Sequence, residues 1–483
     1  MSPYYIIIAI LAYFGVLMLI SRITSSKGNA GFYLGNRKSP WYVVAFGMLG
    51  ASLSGVTFIS VPGWVEATQF SYLQMVLGYV VGYAVIAWVL LPVYYKLNLT
   101  SIYTYLEQRF GFFSQKTGAW FFFVSRVIGA SFRLFIVATV LQVMVFDPLG
   151  VPFFVTVFVT ILLIWVYTNR GGIKTIIWTD VLQTTFMFVS AIFTIYIISD
   201  KIAGESLWQF VSDSDYSKIF FFDDWQSKNH FFKQFFAGMF ITIVMTGLDQ
   251  DMMQKNLSCK NLKDAQKNML SYGIAFVPVN IMFLTLGVML YTYAHSLGLE
   301  IPTQGDEIFP LVIMQGGLPG FVVIMFVLGL VAAAYSSADS ALTALTTTFT
   351  VDILGFNHNE LETKKALQTR KKVHIGISAL LAIVIIVFNI ISDESVVSAI
   401  FTVAGYTYGP LLGLFAFGLF TKLKPIESWI PYISLASPVI CFILNYNSVE
   451  WLGGYKFGFE LLILNGALVF LGLWISTIVK KPA

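Results

Sequence analysis

Thirteen stretches of this chain are long and apolar enough to cross a lipid bilayer, and no other feature of the sequence limits its fold so tightly. A helix needs about 20 apolar residues to span the hydrocarbon core. Such runs lie near 3–21, 41–66, 71–95, 117–146, 151–168, 173–199, 231–254, 269–295, 320–351, 373–392, 395–421, 428–445 and 459–479. They lack the two-residue alternation of a membrane barrel, so the sequence predicts an all-α integral membrane protein of about 13 helices. Composition agrees, with 57% hydrophobic and only 11% charged residues, where a soluble domain carries roughly 25%. A soluble enzyme, a nucleic-acid binder and a disordered scaffold are excluded. Cys259, Cys441 and the histidines His230, His295, His358 and His374 show no ligand spacing, so a disulfide framework or a zinc site is not expected.

Charge orients the bundle. No basic residue precedes the first run, whereas Arg22, Lys27, Arg37 and Lys38 follow it, the pattern of an uncleaved anchor with its N-terminus outside. Thirteen spans then place the C-terminus in the cytoplasm. On that arrangement the inner segments hold 22 Lys and Arg and the outer segments five, the bias expected of inner loops. The net charge of +4 is thus explained by topology.

No loop is long enough for a soluble domain. The longest, Asp200 to His230, carries Asp213, Asp215, Asp223 and Asp224 beside Trp208 and Trp225, and is expected to lie on the membrane or cap the bundle. Asp306 to Leu318 reads as a short amphipathic helix and a further outer lid. Function is therefore expected within the bundle.

Polar groups at membrane depth are costly and point to function. In the second span, Gly50-Ala51-Ser52-Leu53-Ser54-Gly55-Val56-Thr57 weakens the helix and can free carbonyls for a small cation; the alternative is a tight small-residue crossing. In the ninth span Ser336, Asp339, Ser340 and Thr343 share one helix face. Hydroxyls with one carboxylate suit sodium or a proton better than calcium. The competing reading, hydroxyls bonded back to their own helix, leaves Asp339 without a partner. Asp180 lies about two turns into the sixth span and serves either an ion pair or a cation. Arg126 and Arg133, seven apart on one face of the fourth span, either bind a substrate carboxylate or neutralise an acid such as Glu66 or Asp180. The structural role is favoured for Arg126. Thr246-Gly247-Leu248-Asp249 interrupts the seventh span as the glycines do the second. Two interrupted helices, each opening a set of five spans, mark an inverted-repeat transporter.

These motifs together resemble the sodium/solute symporter family, which includes sodium-coupled glucose, proline, sialic acid, pantothenate and iodide carriers. The resemblance rests on Ala51 to Phe58, Thr100 to Gly111, Gly171 to Lys174 with Trp178 to Gln183, Gln250 with Gln254-Lys255, Ser336 to Ser340 with Phe349 to Ile353, and Gly409 to Phe415. It implies a LeuT-like five-plus-five inverted repeat with one extra N-terminal and two extra C-terminal helices. The units would be the anchor helix and inner loop (1–40), the first repeat (41–199), the outer loop (200–230), the second repeat (231–421) and the C-terminal pair (422–483).

The resemblance further implies a sodium site made by the Gly50, Leu53 and Ala333 carbonyls with the Ser336 and Ser337 hydroxyls. A second cation site would comprise Asp180, Ser336, Asp339 and Ser340; Asp339 stands where the sugar and sialic acid branches tend to have Ser or Thr. Substrate would lie between the second, third, fourth, seventh and eleventh spans, against Ser52, Ser54, Thr57, Tyr72, Arg133 and Tyr406. The gating aromatic of the glucose branch falls on Met245, and the arginine and glutamine of the sialic acid branch fall on Gly129 and Val76. Neither substrate transfers, although Arg133, one turn from Gly129, would suit an organic anion.

The expected function is sodium-coupled symport of a small polar solute by alternating access. Sodium is the coupling ion, with no organic cofactor, no transition metal and no nucleic-acid partner. The working unit would be a monomer in the lipid bilayer of a cell membrane of the bacterial inner-membrane kind. The rival readings are proton coupling through Asp339 and Asp180, and a transporter-like membrane sensor; an enzyme is not expected, for want of a nucleophile with a base, a metal cluster or a phosphate loop.

Overall fold

The computed structural model describes residues 3–24, 29–202, 206–356, 363–391 and 396–479. Lys27, His358 and the tail Lys480–Ala483 lie outside the described residues. Each expected span has a helical counterpart. They are α1 (Pro3–Thr24), α2 (Trp41–Gly63), α3 (Tyr72–Lys96), α4 (Phe112–Leu149), α5 (Phe153–Thr168), α6 (Gly172–Ile202), α7 (Phe231–Gly247 with Gln250–Leu257), α8 (Leu262–Ser296), α9 (Gly320–Ile353), α10 (Lys364–Ile391), α11 (Val396–Thr407 with Gly409–Phe420), α12 (Ile430–Tyr446) and α13 (Leu461–Val479). Ten helices among the described residues pass as spans by length and hydropathy, α7 and α11 pass as bent pairs, and α5 is shorter.

Burial separates a core from a shell. The apolar window of α2 is 89% buried and that of α9 83%, against 22% for α1 and α12. The α12 face carrying Tyr432, Leu435, Val439, Phe442 and Tyr446 is exposed, as a lipid-facing surface requires. One end of the bundle carries Lys96, Arg109, Lys260–Lys267, Lys364–Lys372 and Lys422–Lys424 and is termed the basic end; Asp200–His230, Leu297–Pro319 and Asn447–Glu460 lie at the loop end.

The helix breaks have local causes. Within α2, Ser54 leaves the helical region at φ 49° and ψ 176°, and its hydroxyl accepts the Val56 N–H at 3.3 Å, a local bond that competes with the helical ladder. The two halves of α7 meet at 64°. Asp249 restarts the second half as its N-cap, accepting the N–H groups of Asp251 at 2.9 Å and Met252 at 3.3 Å. The α11 break, at 42°, falls just before Gly409-Pro410, where proline fits a first helical turn. It carries no glycine run like that of α2 and was not expected.

Two connecting segments pack on the loop end. The Asp200–His230 loop caps the loop end: the Gln74 side chain donates to the Asn229 carbonyl at 3.0 Å and accepts the Phe221 N–H at 3.1 Å. Within Asp306 to Leu318, the helix Ile308–Gln315 buries Ile308, Phe309, Val312 and Ile313.

A close crossing joins α3 to α7. A Cβ at Gly78 would collide with the Phe235 carbonyl, one at Gly238 with the Met75 carbonyl, and one at Gly82 would stand 2.6 Å from the Met239 carbonyl. Small residues let the two backbones touch. Gly78→Val should therefore destabilise the bundle by about 3 kcal/mol, the upper range for overpacking. A thermal unfolding midpoint within one degree of the unaltered protein would show that the crossing has slack.

Candidate functional site

The break in α2 lies against the middle of α9. Gly50, Leu53, Ala333, Ser336 and Ser337 are all buried. The Ser337 hydroxyl donates to the Ala51 carbonyl at 3.1 Å, so the structure joins the two segments named from sequence, through the residue between Gly50 and Leu53. Gly50 itself backs onto Thr184 of α6, with no room for a Cβ. Ser336 turns the other way and donates to Asp180 at 2.6 Å. Neutral carbonyl and hydroxyl oxygens of this kind suit a hard monovalent cation, which needs ligands but little countercharge.

Around Asp180 the structure supplies a partner that sequence reading placed elsewhere. Lys255 Nζ lies 2.7 Å from Asp180 Oδ2, and the two side chains are 1% and 0% exposed. Lys255 had been counted among the inner-segment charges that orient the bundle, but the bend in α7 turns the helix Gln250–Leu257 back into the protein and buries it. Asp339 sits nearby on α9, accepting from Tyr167 at 2.8 Å and from Ser340 at 3.3 Å. No Lys, Arg or His lies within ion-pair distance of Asp339 among the described residues. One ammonium group thus pairs with Asp180 and leaves the neighbouring Asp339 carboxyl without a basic partner among the described residues.

The two arginines of α4 differ. Arg126 pairs with Asp251 and lies 3.8 Å from Asp249, whose carboxylate also accepts the Tyr408 hydroxyl. The structural reading of Arg126 holds, but its acids are on α7; neither Glu66 nor Asp180 is among them. The Arg133 guanidinium has no hydrogen bond or ion pair among the described residues, and it lines a central cavity.

Ser52, Ser54, Thr57 and Tyr72 line the same cavity, as does Met245, the position of the glucose-branch aromatic. Gly129 opens onto a small adjoining void with Arg126 and Arg133. Tyr406 lies apart, in a separate cavity nearer the loop end, where it receives a hydrogen bond from Asn445 at 3.1 Å. Tyr72 and Phe401 border both cavities. They belong to an aromatic partition with Trp64 and Phe459, in which Trp64 stacks on Phe459 at 6.5 Å and 10°.

Sequence reading missed Tyr79, Tyr83, Tyr272 and Thr246. Tyr83 donates to Tyr272 at 2.8 Å, and Tyr272 donates to Ser52 at 2.5 Å. The first two were legible: Tyr72, Tyr79 and Tyr83 recur at helical spacing on one face of α3. Tyr272 was not, because α8 had not been assigned to the cavity.

Breaking a buried ion pair leaves an uncompensated charge and costs about 3–5 kcal/mol, whereas removing both partners costs far less. Lys255→Met should thus be strongly destabilising, and Asp180→Asn with Lys255→Met should recover most of the loss. Additive losses in thermal unfolding of the detergent-solubilised protein would contradict the pairing.

The sodium:solute symporter family profile matches residues 32–424. The chain is 26% identical over 439 residues to a sodium/sialic acid symporter of Aliivibrio fischeri, covering 86% of this chain and 83% of that protein. It is 24% identical to sodium-coupled monocarboxylate transporter 1 of Xenopus laevis, over 91% of this chain and 71% of that one. Among solved structures it resembles a Na+-coupled sialic acid symporter in its substrate-bound, outward-open state, with a TM-score of 0.82 at 20% identity over 99% of this chain and 98% of that one. The fold is that of the LeuT-like transporters. A broken helix facing hydroxyls at mid-bundle, and a profile spanning most of the length, place this chain in the sodium:solute symporter family.

Proposed function

We propose that this protein carries a small organic anion into the cell together with sodium. The observation that carries the anion is Arg133, a guanidinium without an ion pair among the described residues, in a cavity lined otherwise by hydroxyls, apolar side chains and Arg126, which is already paired with Asp251. A half-buried cation with no countercharge is costly to leave unmatched, and a carboxylate matches its paired donors. The relatives named for sialic acid and monocarboxylates also handle acids.

Sodium would bind the Gly50, Leu53 and Ala333 carbonyls with the Ser336 and Ser337 hydroxyls, and a second cation would be held by Asp180, Ser336, Asp339 and Ser340. Ser52, Ser54, Thr57 and Tyr72 would orient the solute, and Tyr406 would meet it in the cavity nearer the loop end. With the basic end in the cytoplasm, each sodium entering a negative-inside cell contributes about 2.3 kcal/mol per 100 mV. Sodium at the α2 break orders one wall of the solute cavity, since Ser52 and Ser54 belong to the same interrupted segment. Binding of the two is then reciprocal, each raising the affinity of the other. A monomer suffices for this cycle.

The test is uptake into proteoliposomes, with solutes first selected by thermal shift with and without sodium. A carboxylate should stabilise the protein only when sodium is present. Arg133→Gln should raise its KM about 30-fold or more, as expected when a charged partner worth at least 2 kcal/mol is removed. Ser337→Ala should raise the sodium concentration for half-maximal uptake about fivefold, roughly 1 kcal/mol, with a smaller effect on the saturated rate. Uptake that persists when choline replaces sodium would overturn the coupling assignment; neutral solutes as the only ligands would overturn the anion.

A further inference from the structure

One polar surface runs on from the candidate cation sites toward the basic end. From Ser336 toward the basic end, α9 continues as Asp339, Ser340, Thr343, Thr346, Thr347 and Thr350, all on one side of the helix and at most 1% exposed. The row extends about 21 Å at 1.5 Å per residue, enough to reach from mid-bilayer to the membrane edge. An apolar sequence would serve packing better at that depth.

Most of its hydroxyls are satisfied by their own helix: Thr346 donates to the Leu342 carbonyl, Thr347 to that of Thr343 and Thr350 to that of Thr346. Two oxygens are not. Among the described residues the Thr343 hydroxyl and the Gln254 side-chain carbonyl are buried without a hydrogen-bond partner, although Gln254 is held in place through its amide nitrogen, which donates to Thr347 at 3.2 Å and to the Tyr33 carbonyl at 2.7 Å. Unsatisfied buried acceptors are costly and call for a ligand. Two hard oxygens one to two turns beyond Asp339, with no added carboxylate, suit a monovalent cation in transit better than one held tightly.

The row ends under a plug. Thr346 meets His374 of α10 at 3.0 Å, and the helix Asn29–Leu34 lies across this end with Phe32 and Tyr33 2% and 1% exposed. The Arg370 guanidinium covers Phe32 at 4.2 Å from the ring centre, and Phe32 packs so closely on Gly172 that no Cβ fits there. Gly172 takes φ +59°, the kink between α5 and α6, and thereby receives the plug.

We infer that sodium leaves the coupling site along this hydroxyl face of α9, with Thr343 and Gln254 as its way-station and the Phe32–Tyr33 segment as the closure that must lift. The inference rests on the sodium reading of the site. It is tested with T343C, T347C and, as the off-face control, A344C in oriented membrane vesicles, using a small cationic thiol reagent. The wild-type chain, with its buried Cys259 and Cys441, serves as the blank. T343C and T347C should react from the basic-end side at least tenfold faster than A344C, with sodium protecting both, and adding F32A should accelerate T347C severalfold. Equal reactivity of A344C, no reaction above the blank from that side, or indifference to F32A would overturn the route. Should the cysteine variants not fold, T343V serves: sodium-dependent net uptake, which requires sodium release, should fall at least fivefold more than solute exchange at equal sodium on both sides. Equal losses would refute it. Wild-type uptake without sodium would instead defeat the underlying reading, so the two failures are distinguishable.

Discussion

Backbone polar groups have no water to turn to inside a bilayer, and the interruption of α2 at Ser54 is possible only because protein surrounds it. Every neighbouring feature follows from covering that break. The middle of α9 brings hydroxyls, and Ser337 reaches the Ala51 carbonyl. Thr184 of α6 closes against Gly50 from behind, and Tyr272 of α8 bonds Ser52. The same oxygens and hydroxyls that make an unwound segment tolerable are of the kind that the proposed sodium site would use.

The second break, in α7, has a different consequence. Its bend carries Asp249, Asp251 and Lys255 into the interior, where each finds a partner: Arg126 for the two acids and Asp180 for the lysine. Four helices are thereby tied at one level by buried charge, since Tyr408 of α11 joins the Asp249 carboxylate. The breaks in α7 and α11 therefore meet through one hydrogen bond, which gives a direct mechanical link between the two bent helices. Arg133 and Asp339 stand outside this accounting. One lies in the central cavity and the other on α9 close to Asp180; on the proposed function a transported anion and cation would balance them.

Helices, their order and the weak point in α2 were legible in the sequence, because membrane-spanning length and glycine content act locally along the chain. So was the shared face of Ser336, Asp339, Ser340 and Thr343, which helical periodicity dictates. The role of Lys255 was not. A lysine near a span end reads as a topological charge until a bend of 64° returns it to the core. Arg126 and Arg133 carry the same sequence signature and meet different fates, because only the position of α7 decides which of them faces an acid. Tyr406 shows the same limit: its helix was placed correctly, but the packing of α12, through Asn445, decides that it lines the second cavity.

What the sequence determined alone was the membrane, the helical bundle, the basic end and a short list of polar groups at depth, since hydropathy, charge count and spacing need no third dimension. Tertiary structure decided which of those groups are already neutralised. Pairing depends on helix bends and crossings that bring residues 75 positions apart, such as Asp180 and Lys255, within 2.7 Å. In a low-dielectric interior that distinction matters most, because the charges left unpaired are those that a ligand must complete.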